Sequence, residues 1–94
     1  MALTLKFIGA LRQVSGKTQL TVNFQDGMSL KDLFNKLGSE MPQIEKVFCG
    51  QRLNDSRSNS LILINGREIS VLNGFETKLN NGDEIVFIPV VHGG

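Results

Sequence analysis

The sequence lacks tryptophan and tyrosine and contains one cysteine and one histidine. Because Cys49 stands alone, the chain cannot form an internal disulfide or a cysteine-rich metal site, and a lone thiol is typical of a reducing cytoplasm. The N-terminus lacks the basic region of a signal peptide, and no apolar run approaches the roughly 18 residues that a membrane-spanning helix needs. We therefore expect a cytoplasmic protein with no bound metal and no membrane segment.

The sequence also contains no cluster of like charges. Ten lysines and arginines against nine aspartates and glutamates leave a net charge of +1, spread without blocks. No basic stripe is available to neutralise phosphates, and six phenylalanines are the remaining stacking platforms for bases. The composition therefore predicts no nucleic-acid binding. The length predicts a single domain over residues 1–94, which would bury roughly 60–65% of the surface of the unfolded chain.

Two segments near the N-terminus alternate apolar and polar residues, which is the period of a half-buried strand. The first covers residues 2–8, with Leu3 and Phe7 on one face and Ile8 on the other. The second covers residues 18–24. The length of the loop between them predicts an antiparallel hairpin.

A single amphipathic helix is the strongest local signal in the sequence. Four apolar residues recur at i, i+3, i+4 and i+7 and so form one helical stripe: Leu30, Leu33, Phe34 and Leu37. Ser29 is a suitable N-cap, with Asp32 in the first turn. Gly38 is the expected C-terminal cap, and Pro42 limits how far the helix can extend.

After the helix the composition changes to a polar loop and then to short strands. Residues 49–60 have no apolar period and are expected to form an exposed loop. The continuous apolar run over residues 61–64 fits a central strand. Asn65-Gly66 is a strong hairpin signal, so residues 67–71 are expected to return antiparallel beside that strand.

The final strand is expected over residues 84–91. Its alternation places Ile85 and Phe87 on one face and Val86 and Ile88 on the other. Since the first and last strands are both strongly apolar, they are expected to be central neighbours, and a parallel pairing between them needs the helix as a crossover. The order of elements predicts an α+β fold, a β-grasp in which a mixed sheet of about five strands packs on one main helix.

The sequence contains no recognisable catalytic or metal-binding pattern of side chains. His92 is the only histidine, Cys49 has no directly adjacent cation, and Asp83-Glu84 lacks the spacing of metal ligands. The glycines follow no phosphate-binding motif. We expect the chain not to be an enzyme. Catalysis through Cys49 or His92 stays open as a minor alternative to a purely structural role for each residue.

The sequence ends in Gly93-Gly94 after the last strand. Glycine has no Cβ and accepts either sign of φ, so this segment can thread a cleft that any side chain would block. The carboxylate beyond it is unreactive at neutral pH. Adenylation with ATP by another protein would convert it into a mixed anhydride that a thiol, a persulfide or an amine could attack. The domain would then carry a reactive carboxyl group without an active site of its own.

Three stretches of the sequence carry a family resemblance. The first is KFIGALRQVSG, with Phe7, Leu11, Arg12 and Gly16 in register; the second is ILINGREIS, and the third and most specific is NNGDEIVFIP followed closely by the terminal Gly-Gly. They resemble the first strand and loop, the central hairpin and the last third of the ubiquitin-like sulfur carriers of the MoaD/ThiS group, which includes the small archaeal modifier proteins. The resemblance spans the whole chain. It departs at Val90 and His92, where many relatives have a proline and a small residue.

The resemblance implies a ubiquitin-like β-grasp and a chemical role for the last residue. Gly94 would be adenylated by a ubiquitin-activating-enzyme-like adenylyltransferase, which uses the ATP, so the chain itself would bind no cofactor. The resulting thiocarboxylate would donate sulfur to a molybdopterin precursor, with the large subunit of molybdopterin synthase as a partner. Alternatively, the same terminus would form an isopeptide bond with a lysine of a target protein. His92, Gly93 and Gly94 would be the segment that the activating enzyme binds.

The alternation of the strands also predicts a surface for binding partners. It puts Ile8, Val86 and Ile88 on the sheet face away from the helix, where exposed apolar residues would form an interaction patch. The alternative interpretation is that the 49–60 loop partly covers this face. The remaining functional alternative is a non-catalytic β-grasp interaction domain whose tail is inert.

Overall fold

The computed structural model describes residues 1–9, 12, 16, 18–42 and 60–89, and in these ranges it contains five strands and one long α-helix. They are β1 (Ala2–Phe7), β2 (Gln19–Asn23), α1 (Leu30–Glu40), β3 (Ser60–Ile64), β4 (Arg67–Glu68) and β5 (Glu84–Pro89). Two 3-10 turns follow β4, at Ile69–Val71 and Gly74–Glu76. No helix within these ranges is long and apolar enough to cross a membrane.

Several predictions from the sequence fall on residues outside the described ranges. They concern Cys49, the polar loop over residues 49–59, and the tail over residues 90–94. The loop prediction extends one residue too far, because Ser60 already belongs to β3.

The five described strands form one mixed sheet in the order β2-β1-β5-β3-β4. β1 runs parallel to β5, with Leu5 opposite Ile85 and Phe7 opposite Phe87, and the other neighbouring strands are antiparallel. Parallel strands cannot be joined by a tight turn, so the chain must cross over between them, and α1 lies in that connection. The β-grasp predicted from the order of elements is confirmed.

Helix α1 begins where the sequence predicts. The Ser29 hydroxyl accepts a hydrogen bond from the Asp32 backbone N–H (3.2 Å), and the Asp32 carboxylate accepts one from the Ser29 N–H (3.1 Å). This reciprocal pair is a capping box, which satisfies two N–H groups that the first turn leaves without helical partners. The four residues of the predicted apolar stripe are all buried: Leu30, Leu33, Phe34 and Leu37.

The prediction that Gly38 caps the end of the helix is wrong. The helix continues through Gly38 to Glu40, and its C-cap is Met41, whose N–H donates to the Leu37 carbonyl (2.7 Å). The ring of Pro42 disfavours the helical conformation at the residue before it, and Met41 has φ −133° and ψ 83°. Proline, rather than glycine, therefore determines where α1 stops.

The core lies between α1 and one face of the sheet. Along β1 and β5 every second residue is buried, and Leu5, Ile85 and Phe87 have no accessible surface. The rings of Phe7 and Phe87 stack at a centroid distance of 5.3 Å, and Phe34 of α1 lies 5.8 Å from Phe87. These contacts fix the helix over the two central parallel strands.

Strand β4 is shorter than the sequence predicts. Residues 67–71 are expected as a strand, but only Arg67–Glu68 pair with β3, and a 3-10 turn covers Ile69–Val71. The Glu68 carboxylate accepts a hydrogen bond from the Ser70 N–H (2.6 Å) and a second from its hydroxyl. Such a local side-chain bond competes with the strand ladder for the backbone donor, so the chain turns and buries Ile69 instead.

Candidate functional site

Strand β5 is the element that carries the tail. It lies in the centre of the sheet between β1 and β3, and Pro89 is its last described residue. The residues that follow include the predicted attachment site Gly94 and the predicted recognition residues His92 and Gly93. All three lie outside the described residues, so the structure specifies the strand from which the tail starts and not the positions of these residues.

The inner face of β5 is rigidly packed. Ile85 and Phe87 have no accessible surface, and Phe87 contacts the rings of Phe7 and Phe34. Closely packed protein interiors have low compressibility and transmit strain. The tail thus follows, in the sequence, a strand whose inner face is fully buried in the core.

The start of β5 is fixed by hydrogen bonds from the β3–β4 turn. Asn65 donates from its side-chain amide to the Asp83 carboxylate (2.8 Å), and its side-chain oxygen accepts from the Glu84 N–H (3.0 Å). Asp83 also accepts from the Asn80 N–H (2.8 Å), which agrees with its predicted role as a turn residue. Asp83 is buried, with only 6% of its surface exposed, and each of its two carboxylate oxygens accepts one of these structural hydrogen bonds.

The outer face of the sheet, away from α1, carries an apolar patch beside the end of β5. Ile88 lies opposite Leu61 and Val86 opposite Leu63 on the antiparallel strand β3. On the other side, the Ile8 N–H donates to the Phe87 carbonyl (3.0 Å), which continues the parallel ladder of β1 and brings Ile8 beside Ile88. We call the set Ile8, Leu61, Leu63, Val86 and Ile88 the outer patch.

Sequence reasoning finds three members of the outer patch and misses two. The structure brings Ile8, Val86 and Ile88 together as the alternation of β1 and β5 predicts. Leu61 and Leu63 are missed because a continuous apolar run has no alternation from which a face could be read. Knowledge of the register between β3 and β5 would have identified Leu61 and Leu63, because residues directly opposite each other in a sheet share a face.

The patch grows more polar towards the start of β5. Lys6 and Glu84 form an ion pair of 2.9 Å on this face, with side chains 39% and 46% exposed. An ion pair this exposed contributes only about 0–1 kcal/mol to stability. Ile8, by contrast, is apolar and 38% exposed, and it lies at the other end of β5, beside Ile88. The outer face is therefore polar at the start of β5 and apolar at the end of that strand.

Among the described residues, the outer patch is the candidate binding surface. No group of three or more histidine, cysteine, aspartate or glutamate residues among them could hold a metal ion. The carboxyl group whose pKa departs clearly from its ordinary value is Asp32, where hydrogen bonds from the Ser29 backbone N–H and hydroxyl lower it. That group belongs to the cap of α1, away from the outer patch. Cys49 and His92 lie outside the described ranges.

Comparisons with known proteins identify the family. The family model described as ThiS matches residues 5–94. Small archaeal modifier protein 3 from Haloferax volcanii is 29% identical, and the match covers 100% of both chains. The solution structure of small archaeal modifier protein 1 from Methanosarcina acetivorans is 28% identical, with a TM-score of 0.72 over 99% of this chain and 96% of that one.

A more distant similarity shows the same fold in an assembly. A structure described as the complex of subunits 1 and 2 of molybdopterin-converting factor from Helicobacter pylori matches with a TM-score of 0.62 and 19% identity, over 100% of both chains. At that identity the similarity shows the fold alone. The family match spans nearly the whole chain and agrees with the observed β-grasp. The chain therefore belongs to the ThiS family, as a ubiquitin-like sulfur carrier or modifier protein that is not itself an enzyme.

Proposed function

We propose that the Gly94 carboxylate is the group that this protein carries. A ubiquitin-activating-enzyme-like adenylyltransferase would bind the outer patch and draw residues 92–94 into its active site. ATP would be bound by that enzyme, and the chain itself would bind no cofactor. Glycine at both terminal positions suits a narrow cleft, because neither residue has a Cβ.

The chemistry requires activation before transfer. Attack of the Gly94 carboxylate on the α-phosphorus of ATP forms an acyl-adenylate and releases pyrophosphate. A persulfide on a sulfur donor then attacks the carbonyl carbon, and AMP leaves with its electron pair. The product is an acyl disulfide, and a thiol of the donor cleaves its S–S bond, forming a disulfide and releasing the thiocarboxylate on Gly94.

The observation that carries this proposal is the position of the outer patch at the tail end of β5. An activating enzyme must hold the domain and receive its tail at the same time, so the two features should be adjacent. Ile8 and Ile88 lie beside the last described residue of the strand, and Phe87 between them is anchored in the core. Such a rigid anchor reduces the entropy lost when the tail is positioned.

Two fates of the activated carboxyl group are supported by different comparisons. Membership of the ThiS family favours sulfur donation, for which we propose a molybdopterin precursor as acceptor and the large subunit of molybdopterin synthase as the receiving partner. Similarity to a small archaeal modifier protein favours attack on the acyl-adenylate by a target lysine, which forms an isopeptide bond and releases AMP. Both fates use the same terminal group.

Intact mass spectrometry of protein purified from its native host tests the sulfur-carrier role. We expect a fraction of the molecules in which one oxygen of the Gly94 carboxyl group is replaced by sulfur, and we expect iodoacetamide to alkylate that fraction at the C-terminus. Treatment with iodoacetamide of the variant Cys49→Ser excludes the internal thiol as the site of alkylation. If the tail carries neither sulfur nor a conjugate in the host, the proposal is wrong.

Conjugation has a distinctive proteolytic signature in this chain. No lysine or arginine follows Lys78, so trypsin would leave residues 79–94 attached to a modified target lysine. A search for that remnant on host proteins tests the modifier role. The variant His92→Arg provides a second, independent signal, because trypsin would then leave only Gly93-Gly94 on the same lysines.

The alternative of an interaction domain with an inert tail makes the opposite prediction. Deletion of Gly93-Gly94 should then leave the cellular role intact, whereas Ile88→Asp should abolish it by placing a charge in the outer patch. On the carrier proposal both variants lose function, and the deletion does so without weakening partner binding through the patch. Complementation of a host deletion strain distinguishes the two.

A further inference from the structure

A second surface of the described sheet is its outer edge at β2. β2 is the terminal strand on one side of the described sheet. The Phe7 N–H donates to the Thr18 carbonyl (2.9 Å), and the Phe24 N–H donates to the Met1 carbonyl (2.9 Å). Because hydrogen-bonded pairs alternate along an antiparallel ladder, the even-numbered residues of β2 turn their backbone groups towards β1. Gln19, Thr21 and Asn23 therefore point theirs outwards.

The outward groups are only partly occupied. The Lys36 ammonium of α1 donates to the Asn23 carbonyl (3.0 Å), which confirms independently that this carbonyl points away from β1. No other described residue bonds to the outward groups of β2. Gln19 and Thr21 each have one N–H and one C=O with no partner among the described residues, and exposed edges of this kind recruit extended chains.

A groove runs along the inner side of this edge, between β2 and α1. Its volume is about 230 Å³. Val22, Leu37 and Met41 supply its apolar lining, and Lys36 and Glu40 supply its charges. A strand added to β2 would direct alternate side chains into the groove. The space and lining suit one aliphatic side chain packed against Leu37 and Met41.

The charges indicate which neighbour that aliphatic residue should have. Lys36 is held at the strand edge by its bond to Asn23, and it forms no ion pair with another described residue. An incoming peptide N–H would take over the Asn23 carbonyl, which leaves the ammonium free to pair with a carboxylate. Side chains on the same face of a strand are two residues apart, so the carboxylate should lie two positions from the aliphatic residue.

We propose that the β2 edge binds an extended peptide segment that carries an aliphatic and an acidic side chain two residues apart. Backbone hydrogen bonds to Gln19, Thr21 and Asn23 would give affinity, and the groove with Lys36 would give specificity. This site lies on the far side of β1 from β5 and uses neither the outer patch nor the tail. It is therefore independent of the proposed carrier function and would let the domain bind a second protein while its tail is engaged.

The test uses the full chain and two synthetic peptides. The acidic probe is acetyl-Ser-Thr-Val-Thr-Glu-Thr-Ser-amide, and the basic probe has lysine in place of its glutamate. Titration followed by amide NMR shifts should show saturable changes at Gln19, Thr21 and Asn23 that exceed those at Leu20 and Val22. The acidic probe should bind about 3–5-fold more tightly than the basic probe, as expected for one exposed ion pair.

Two variants separate the charge from the backbone contribution. Lys36→Glu should invert the preference between the probes, whereas Lys31→Glu, the same change at an exposed residue of α1 that does not line the groove, should keep it. Thr21→Pro removes an outward N–H and no bond to β1, so it should weaken the binding of both probes.

The proposal is overturned if neither probe gives saturable shifts, if the shifts fall on the outer patch, or if Lys36→Glu keeps the preference for the acidic probe. It is equally overturned if sedimentation shows that the chain dimerises through this edge and excludes the peptides.

Discussion

At the scale of single residues, the hydrogen bonds at the cap of α1 make the stability of the fold depend on pH. The Ser29 backbone N–H and hydroxyl lower the pKa of Asp32 from its ordinary value of 3.8. A carboxyl group whose pKa is lower in the folded state binds fewer protons there than in the unfolded chain. It therefore stabilises the fold above its unfolded pKa and loses that contribution as the pH falls through its folded pKa.

This linkage predicts the behaviour of Asp32→Asn. The variant should be less stable than the wild type at neutral pH, because the ionised form of Asp32 accepts the Ser29 N–H more strongly than an amide does. The difference should shrink as the pH falls below 3.8. Urea unfolding at a series of pH values measures it. Asp26→Asn is the control, because the Asp26 side chain accepts no hydrogen bond within the described ranges, and a matching effect there would contradict the prediction.

Residue-level reasoning from the sequence succeeds where the determinants are local. The spacing of Ser29 and Asp32 is enough to predict the capping box, because both partners lie within one turn. Gly38 shows the limit of this reasoning. Glycine can end a helix, but it can also remain inside one when the next turn buries apolar surface. Here Met41, which packs against the core, extends the helix past Gly38 until Pro42 stops it.

At the scale of elements, the β3–β4 turn positions the start of β5. Asn65 has a positive φ of 51°, and it bonds to Asp83 through its side chain and to Glu84 through both side chain and backbone. The residue thus has two separate tasks, a left-handed turn conformation and a side-chain link to the central strand. Asparagine tolerates the conformation and supplies the link.

Replacement of Asn65 by alanine should cost about 2 kcal/mol of unfolding free energy, because a strained turn residue replaces a tolerant one and the buried Asp83 loses a donor. Gly66→Ala is the matched control. Gly66 has φ 84° and an added Cβ meets nothing within 4 Å, so its cost of about 1 kcal/mol is conformational alone. Chemical denaturation compares the two. Faster hydrogen exchange at the Glu84 amide should appear only in Asn65→Ala, and its absence would show that Asn65 does not hold β5.

The elements also show which parts of the site a sequence can reveal. Alternation along β1 and β5 is sufficient to place Ile8, Val86 and Ile88 on one face, because every second side chain of a strand points to the same face of the sheet. Leu61 and Leu63 need the pairing of β3 with β5, which is a tertiary fact. The early end of β4 depends on the bond from Ser70 to Glu68, a local competition that the hairpin signal at Asn65-Gly66 does not include.

At the scale of the whole molecule, the fold separates three tasks. The inner face of β5 holds the strand in the core, the outer patch is the surface at which we propose that partners bind, and the proposed reactive tail follows this strand in the sequence. The β2 edge, which no other described strand pairs with, lies across β1 from these features. Because the outer patch and the tail consist of different residues, their contributions to activation can be separated by kinetics.

That separation predicts distinct effects on adenylation of the chain by a ubiquitin-activating-enzyme-like adenylyltransferase, measured as pyrophosphate release. Ile88→Asp should raise KM about tenfold with little change in kcat, because the outer patch would be bound equally in the ground and transition states. Gly93→Ala should instead lower kcat, because an added Cβ displaces the carboxylate from the attacking geometry. Asn35→Asp adds the same charge on the exposed face of α1 and should change neither constant. If Ile88→Asp lowered kcat at unchanged KM, the outer patch would have to act in the chemical step. The proposed separation between binding by the outer patch and chemistry at the tail would then be wrong.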